Sequence, residues 1–239
     1  MRPLLPYLKI MWEWKWAFIP SIIFNFRFLP VTQAIKLPIW INKPHLYKMK
    51  AKIRIDASNI KPGMIKLGGF GGHMYPNNGI HLTFFLGGVI IFKGTCEIGN
   101  NSFIVLGKDA VVTFGDHFKA STSLKLVSFK NVEFGEYVTL GWECIVMDTN
   151  FHPLYDMEKK KFKKAYGPIK IGNNNWISSQ CKVFHSVETP HHCIFGFGSL
   201  VTRGCEFESY AVHGGSPLHV LSRNVERVIG QDTIESYAD

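Results

Sequence analysis

Apolar residues return at every sixth position over a long stretch of the chain. Ile171, Ile177, Val183, Phe195, Val201 and Phe207 each open a hexad, and Thr189 is the polar exception in the series. The fifth position is small or modest throughout: Asn175, Cys181, Val187, Cys193, Ser199, Cys205 and Ala211. An earlier run opens at Phe134, Leu140 and Val146, with fainter echoes at Ile98 and Phe114. Two-residue alternation alone predicts ordinary strands. A six-residue period with Gly-Asn corners predicts a β-solenoid: three short strands per triangular coil, stacked as parallel sheets around an apolar column. In that reading the first residue of each hexad points inward and the fifth is small because the interior is narrow. Gly or Asn at the corners accepts positive φ.

The rest of the chain is less regular. Residues 1–60 read as an aromatic-rich, partly helical entry segment. In residues 60–95, Gly68-Gly69, Gly71-Gly72 and Gly87-Gly88 read as turns between irregular early strands. A phosphate loop is discounted because no Gly-Lys-Ser/Thr follows. The expected division is therefore an entry segment over 1–60, a mainly β solenoid domain over 61–221 with a loop excursion at 153–168, and a tail over 222–239.

Composition narrows the class. In 239 residues, 46% hydrophobic and 19% charged, the chain is not disordered. Its net charge of +9 draws polyanions. The lysines between Lys159 and Lys164 sit in one loop rather than on a helix face, which argues against nucleic acid. Ala17 to Leu29 is too short, and too polar at Pro20, Asn25 and Arg27, to span a bilayer. No signal-peptide pattern precedes it, so a cytoplasmic protein is expected. Trp12, Trp14 and Trp16 beside Lys15 and Arg27 leave open a place on the inner membrane surface. Cys144, Cys181, Cys193 and Cys205 all hold the fifth hexad position, where a small hydrophobe suits the interior. Their spacing scatters them over different sides, so no metal is expected.

Several segments together carry a resemblance to a known family. Ile171-Gly172-Asn173-Asn174-Asn175-Trp176-Ile177, Phe195-Gly196-Phe197-Gly198-Ser199-Leu200-Val201-Thr202 and Gly214-Gly215-Ser216-Pro217 resemble the bacterial hexapeptide-repeat acyltransferases, which are left-handed parallel β-helices. Asp148-Thr149-Asn150-Phe151-His152-Pro153 is similar to the catalytic-histidine segment of the maltose and galactoside O-acetyltransferase branch. Chains of this form often serve capsular or lipopolysaccharide sugars. The resemblance implies a homotrimer with active sites between subunits, acetyl-CoA as donor and a sugar or glycan hydroxyl as acceptor. N-acetylation of an amino sugar and a non-catalytic scaffold are the alternatives. The zinc anhydrases that share the solenoid carry two ligand histidines five residues apart, and no pair here has that spacing.

Acyl transfer to a hydroxyl needs a base, oxyanion donors and a slot for the carrier. His152, where the hexads break off, is the expected base, with Asp148 or Asp156 to orient it. By resemblance, the Ser179 backbone N–H faces the thioester carbonyl oxygen, and Trp176 and Asp148 belong to the acceptor pocket. Gly196, Phe197, Gly198 and Ser199 line the pantetheine slot, and Thr202, Arg203 and Arg223 meet the phosphates. The family's acceptor-binding asparagine falls near Ser123. His185 is the reserve candidate for the base.

Overall fold

The computed structural model describes residues 17–69 and 75–229. Trp12, Trp14, Trp16, Gly71 and Gly72 lie outside them. From Ile39 the chain winds as a three-sided parallel β-helix. The first coil is β1 (Ile39–Ile41), β2 (Pro44–Tyr47) and β3 (Lys52–Ile55). Each starts one of three sheets, called I, II and III, of nine, seven and six strands among the described residues.

The later coils repeat every eighteen residues: Trp176 pairs with Ile194, Lys182 with Leu200 and Ile169 with Val187. Here the hexad reading holds. Ile171, Ile177, Val183, Phe195 and Val201 are buried, and so are Asn175, Cys181, Val187, Cys193, Ser199 and Ala211. Thr189 is buried as well, its hydroxyl accepting the Gly172 N–H at 3.2 Å. Positive φ, however, falls on the fourth hexad position, at Asn174, Gln180, Ser186, His192 and Gly198 among others. The second-position glycines answer a different need. A Cβ on Gly172 would lie 2.5 Å from the Pro190 carbonyl oxygen, so Gly172, like Gly135 and Gly141 but unlike Gly196, lets adjacent coils touch.

The coils also begin before residue 61, since Ile39 already pairs with Ile65 and Lys52 with Val89. Early coils are longer. Phe103 pairs with Lys125 and Val111 with Asn131, steps of twenty-two and twenty residues that hide the six-residue period. Larger side chains fill these wider triangles. Phe92, Phe114 and Phe134 stack at 5.4 and 5.6 Å along the axis, with Phe118 tilted against the last two.

Residues before Ile39 close the open end. Helix α1 (Phe18–Phe28) tolerates Pro20 because a first-turn residue needs no amide donor, and it ends at Leu29, extended before Pro30. The buried Asn25 side chain donates to the Ile39 carbonyl at 2.6 Å and accepts the Ile39 N–H at 3.1 Å. The Ser21 hydroxyl accepts the Ile41 N–H at 2.9 Å. Two helix side chains thus satisfy the free edge of β1, which would otherwise invite another strand. The short α2 (Val31–Ala34) follows. At the far end, His219–Arg223 pairs antiparallel with Ala211–Gly214 and covers the other edge of sheet I. No helix among the described residues is long and apolar enough to cross a membrane.

One insertion interrupts the stack at the corner between sheets II and III. The chain leaves sheet II after Met147 and re-enters sheet III at Ile169. Between them a hairpin arm pairs Tyr155–Asp156 with Lys161–Phe162. A Thr149–Tyr166 bridge and a 3.0 Å bond from the Gly167 N–H to the Asp148 carbonyl pin its base.

Candidate active site

The residues expected at the site fall on two edges of the prism. Ser179 and the Gly196–Ser199 turn lie at the corner where sheet I passes into sheet II. His152, Thr202 and Arg203 lie at the corner where sheet II passes into sheet III, beside the arm. One strand of sheet II separates the two corners.

At the I–II corner, Ser179 is nearly buried. Its hydroxyl accepts the Trp142 N–H at 3.2 Å and its carbonyl accepts the Gly198 N–H at 3.0 Å. Its own N–H makes no hydrogen bond among the described residues. Gly141 allows this geometry, because a Cβ there would come within 2.4 Å of the Ser179 hydroxyl. One coil on, a Cβ at Gly198 would meet nothing within 4 Å, and one at Gly196 nothing closer than 3.5 Å. The turn is therefore open to a close-packed ligand. Phe197 is 63% exposed beside it. Ser199 does not line this opening: it is fully buried and its hydroxyl donates to the Gly196 carbonyl at 2.5 Å, bracing the turn from within. Toward the first coils, Ser123 and Gln180 border a cleft of about 320 Å³ with Tyr75, Asn101 and Glu143.

At the II–III corner, His152 is exposed at the base of the arm, its backbone N–H donating to the Asn150 carbonyl at 2.7 Å. Neither Asp148 nor Asp156 bonds its ring among the described residues. The Asp148 carboxylate is buried and accepts the Ser128 hydroxyl at 2.8 Å and the N–H groups of Phe129 and Lys130 at 2.7 and 2.8 Å. Asp148 therefore holds the corner beneath the arm. Trp176 lies on another side, in sheet I, under the Arg227 guanidinium at 5.1 Å. Within one chain Trp176 and Asp148 therefore do not share a pocket.

The arm and the coils enclose a cleft of about 330 Å³ whose walls include Lys163, Lys164, His185, Thr202 and Arg203. A neighbouring cleft shares Lys163, Lys164 and Arg203 and adds Lys159, Lys161 and Asp156. The Lys159 backbone N–H, with Lys163 at 3.7 Å, holds Asp156 below the usual carboxylate range. Burial, then Arg203, pushes the His185 imidazole below its ordinary value. Cations pressed together with one carboxylate among them make an anion site. The sequence places the lysine run in one loop, but its fold-back against Arg203 has no signal in the local pattern. Arg223 stands apart from the cationic cleft, with both Nε and Nη2 bound to Glu208 at 2.7 and 2.8 Å. No group of three metal-ligating side chains occurs among the described residues.

No family model matches the chain. It is 27% identical over 110 residues to the galactoside O-acetyltransferase of Escherichia coli K12, covering 46% of this chain and 53% of that one. It is 29% identical over 121 residues to the galactoside O-acetyltransferase of Lactococcus lactis, covering 48% and 57%. Among solved structures, the polysialic-acid-specific acetyltransferase NeuO superposes with a TM-score of 0.49 at 20% identity, over 81% of this chain and 94% of that one. A maltose O-acetyltransferase from Clostridium difficile gives 0.41 at 13%, over 91% and 88%. The chain spans about half the length of the curated relatives it matches.

Proposed function

We propose that the protein transfers an acetyl group from acetyl-CoA to a hydroxyl of a sugar or glycan, with His152 as general base. The observation that carries the reading is the Ser179 N–H, which makes no hydrogen bond among the described residues, at the same corner as the open Gly196–Gly198 turn. His152 takes the proton of the acceptor hydroxyl, whose oxygen attacks the thioester carbonyl carbon. The Ser179 N–H holds the oxyanion that forms. Collapse breaks the carbon–sulfur bond, and the CoA thiolate leaves with the proton returned from the imidazolium.

Thr202 and Arg203 lie four and five residues beyond Gly198, roughly 15 Å along an extended strand. An extended carrier arm crossing sheet II reaches the cationic cleft with its phosphates, where Lys163 and Lys164 add to the attraction.

His152 and Ser179 occupy opposite edges of one face, so a single chain does not bring them together. A homotrimer resolves this if the arm of one subunit meets the I–II corner of the next. The test is complementation. His152→Ala should lower turnover about 10²–10⁴-fold. Gly196→Trp should block the slot in a chain that still folds, since its Cβ has room. Co-expressing the two inactive chains should restore part of the rate, because some mixed interfaces carry both intact halves. No recovery in mixed trimers would refute the shared site. No thiol release from the native protein with any glycan would refute the reaction.

A further inference from the structure

Helices α1 and α2 bury one side against the first coil and leave an apolar face uncovered on the other. Phe18, Ile19, Ile23 and Phe26 of α1, with Val31 and Ile35 around α2, are each half or more exposed. Surface helices of soluble proteins carry polar residues there. The exposed positions of α1 carry one charge, Arg27, and no acid. Scattered exposed apolar residues need no explanation, but six on one cap do.

The charge at this end is one-sided as well. From Ala17 to Ile55 the sequence holds seven lysines and arginines and no aspartate or glutamate. Four of these cations, Arg27, Lys50, Lys52 and Arg54, line a groove of about 540 Å³ between the helices and β3, the outermost strand of sheet III. Phe28, Met49 and Ile53 supply its apolar wall, and Asp56 is its only carboxylate.

We propose that this cap docks on an anionic phospholipid surface, with the α1 face at the acyl boundary and lipid phosphates in the Arg27–Arg54 groove. An apolar face flanked by cations and free of acid matches an anionic interface on both counts. A second copy of the chain would bring the same positive cap against itself and is disfavoured by that repulsion. Docking at this end leaves both edges of sheet II clear in the later coils, so the proposal is independent of the transfer reaction.

Vesicle co-sedimentation of the full-length protein tests it. Vesicles of phosphatidylglycerol and phosphatidylcholine in equal parts should bind the protein, and pure phosphatidylcholine should bind it far less. Ile19→Glu with Ile23→Glu should abolish binding. Neutralising Lys50 or Arg54 with Gln should each weaken it about fivefold, and raised salt should release the protein. Circular dichroism and acetyl transfer to a soluble acceptor should be unchanged in these variants. Equal binding to both vesicles, or no binding to either, would overturn the proposal. So would light scattering that shows the Ile19→Glu/Ile23→Glu pair dissociating an assembly of the vesicle-free protein, since a second copy would then own the face.

Discussion

Replacing Asp148 separates the two roles that sequence and structure give this residue. Its carboxylate takes three hydrogen bonds: Oδ1 accepts the Phe129 N–H, and Oδ2 accepts the Lys130 N–H and the buried Ser128 hydroxyl. Asp148→Ala removes all three acceptors. Bonds to a charged group contribute about 1.5–3 kcal/mol each, and a buried hydroxyl left unpaired costs about 1–3 kcal/mol. Phe129 and Lys130 are exposed, so water recovers part of what their amides lose. The net loss comes to about 3–5 kcal/mol, in line with breaking other buried charged networks. At about 2–4 °C per kcal/mol for a chain this size, Tm should fall roughly 6–20 °C. Asp148→Asn keeps one carbonyl oxygen and should lose about half as much. Thermal melting followed by circular dichroism measures both. A Tm within about 2 °C of native in Asp148→Ala, together with a raised KM for the acceptor, would refute the corner-bracing argument and restore Asp148 to the acceptor pocket.

Four further outcomes follow from the same geometry. Arg203→Ala should weaken CoA binding more than it slows the bound complex, read by calorimetry against single-turnover rates. Gly141→Ala should lower turnover while leaving CoA affinity near native, because its methyl group displaces Ser179 rather than the cationic cleft. Buried thiols should resist alkylation: Cys144 and Cys193 are pushed up to about 12 by burial, so only the half-buried Cys205 should react quickly in the native protein, counted by mass spectrometry. Burial lowers the His213 and His185 imidazoles, so the unfolded chain binds protons first. Their contribution to stability is then full above the unfolded value near 6.5 and is lost as pH falls through the lower folded values, at up to about 1.4 kcal/mol per pH unit and group. Urea midpoints from pH 7 downward should show that decline, and His213→Gln should flatten it.

The solenoid was legible where its coils are short. Between Ile169 and Val201 each side is six residues, and one inward residue per side makes the period visible. The coils that start at Phe92 and Phe114 are longer, so their inward residues do not all recur at six, and the first coil passes for part of an entry segment. Corner chemistry was only half readable. Positive φ on Gln180, Ser186 and His192 shows that stacking can impose the left-handed conformation on residues that do not prefer it. The second-position glycines could be recognised but not explained, because their cause is the neighbouring coil, eighteen or more residues away. The site suffered from the same limit. His152 and Ser179 are singled out by local segments, while the binding partners of Asp148, Arg223 and Ser199 depend on contacts that no local pattern encodes.

A flat-sided prism has little concavity of its own, and that governs where chemistry can be placed on it. Side chains on a sheet face point outward with nothing opposite them. Along sheet II the outward register runs Lys125, Ile145, Lys182 and Leu200, a mixed strip without a wall. Only corners can carry irregular backbone, because the strands between them are committed to pairing with the coils above and below. The unbonded Ser179 N–H therefore appears at one corner and an inserted arm at another, while close-approach glycines recur at several, Gly172 among them. The strand that joins the corners also keeps them apart. A reaction that needs a backbone donor from the first and an imidazole from the second must borrow one of them across an interface. In the proposed trimer the arm carries His152 toward the next chain's I–II corner, while Lys163 and Lys164 stay beside Arg203 in their own chain's cleft.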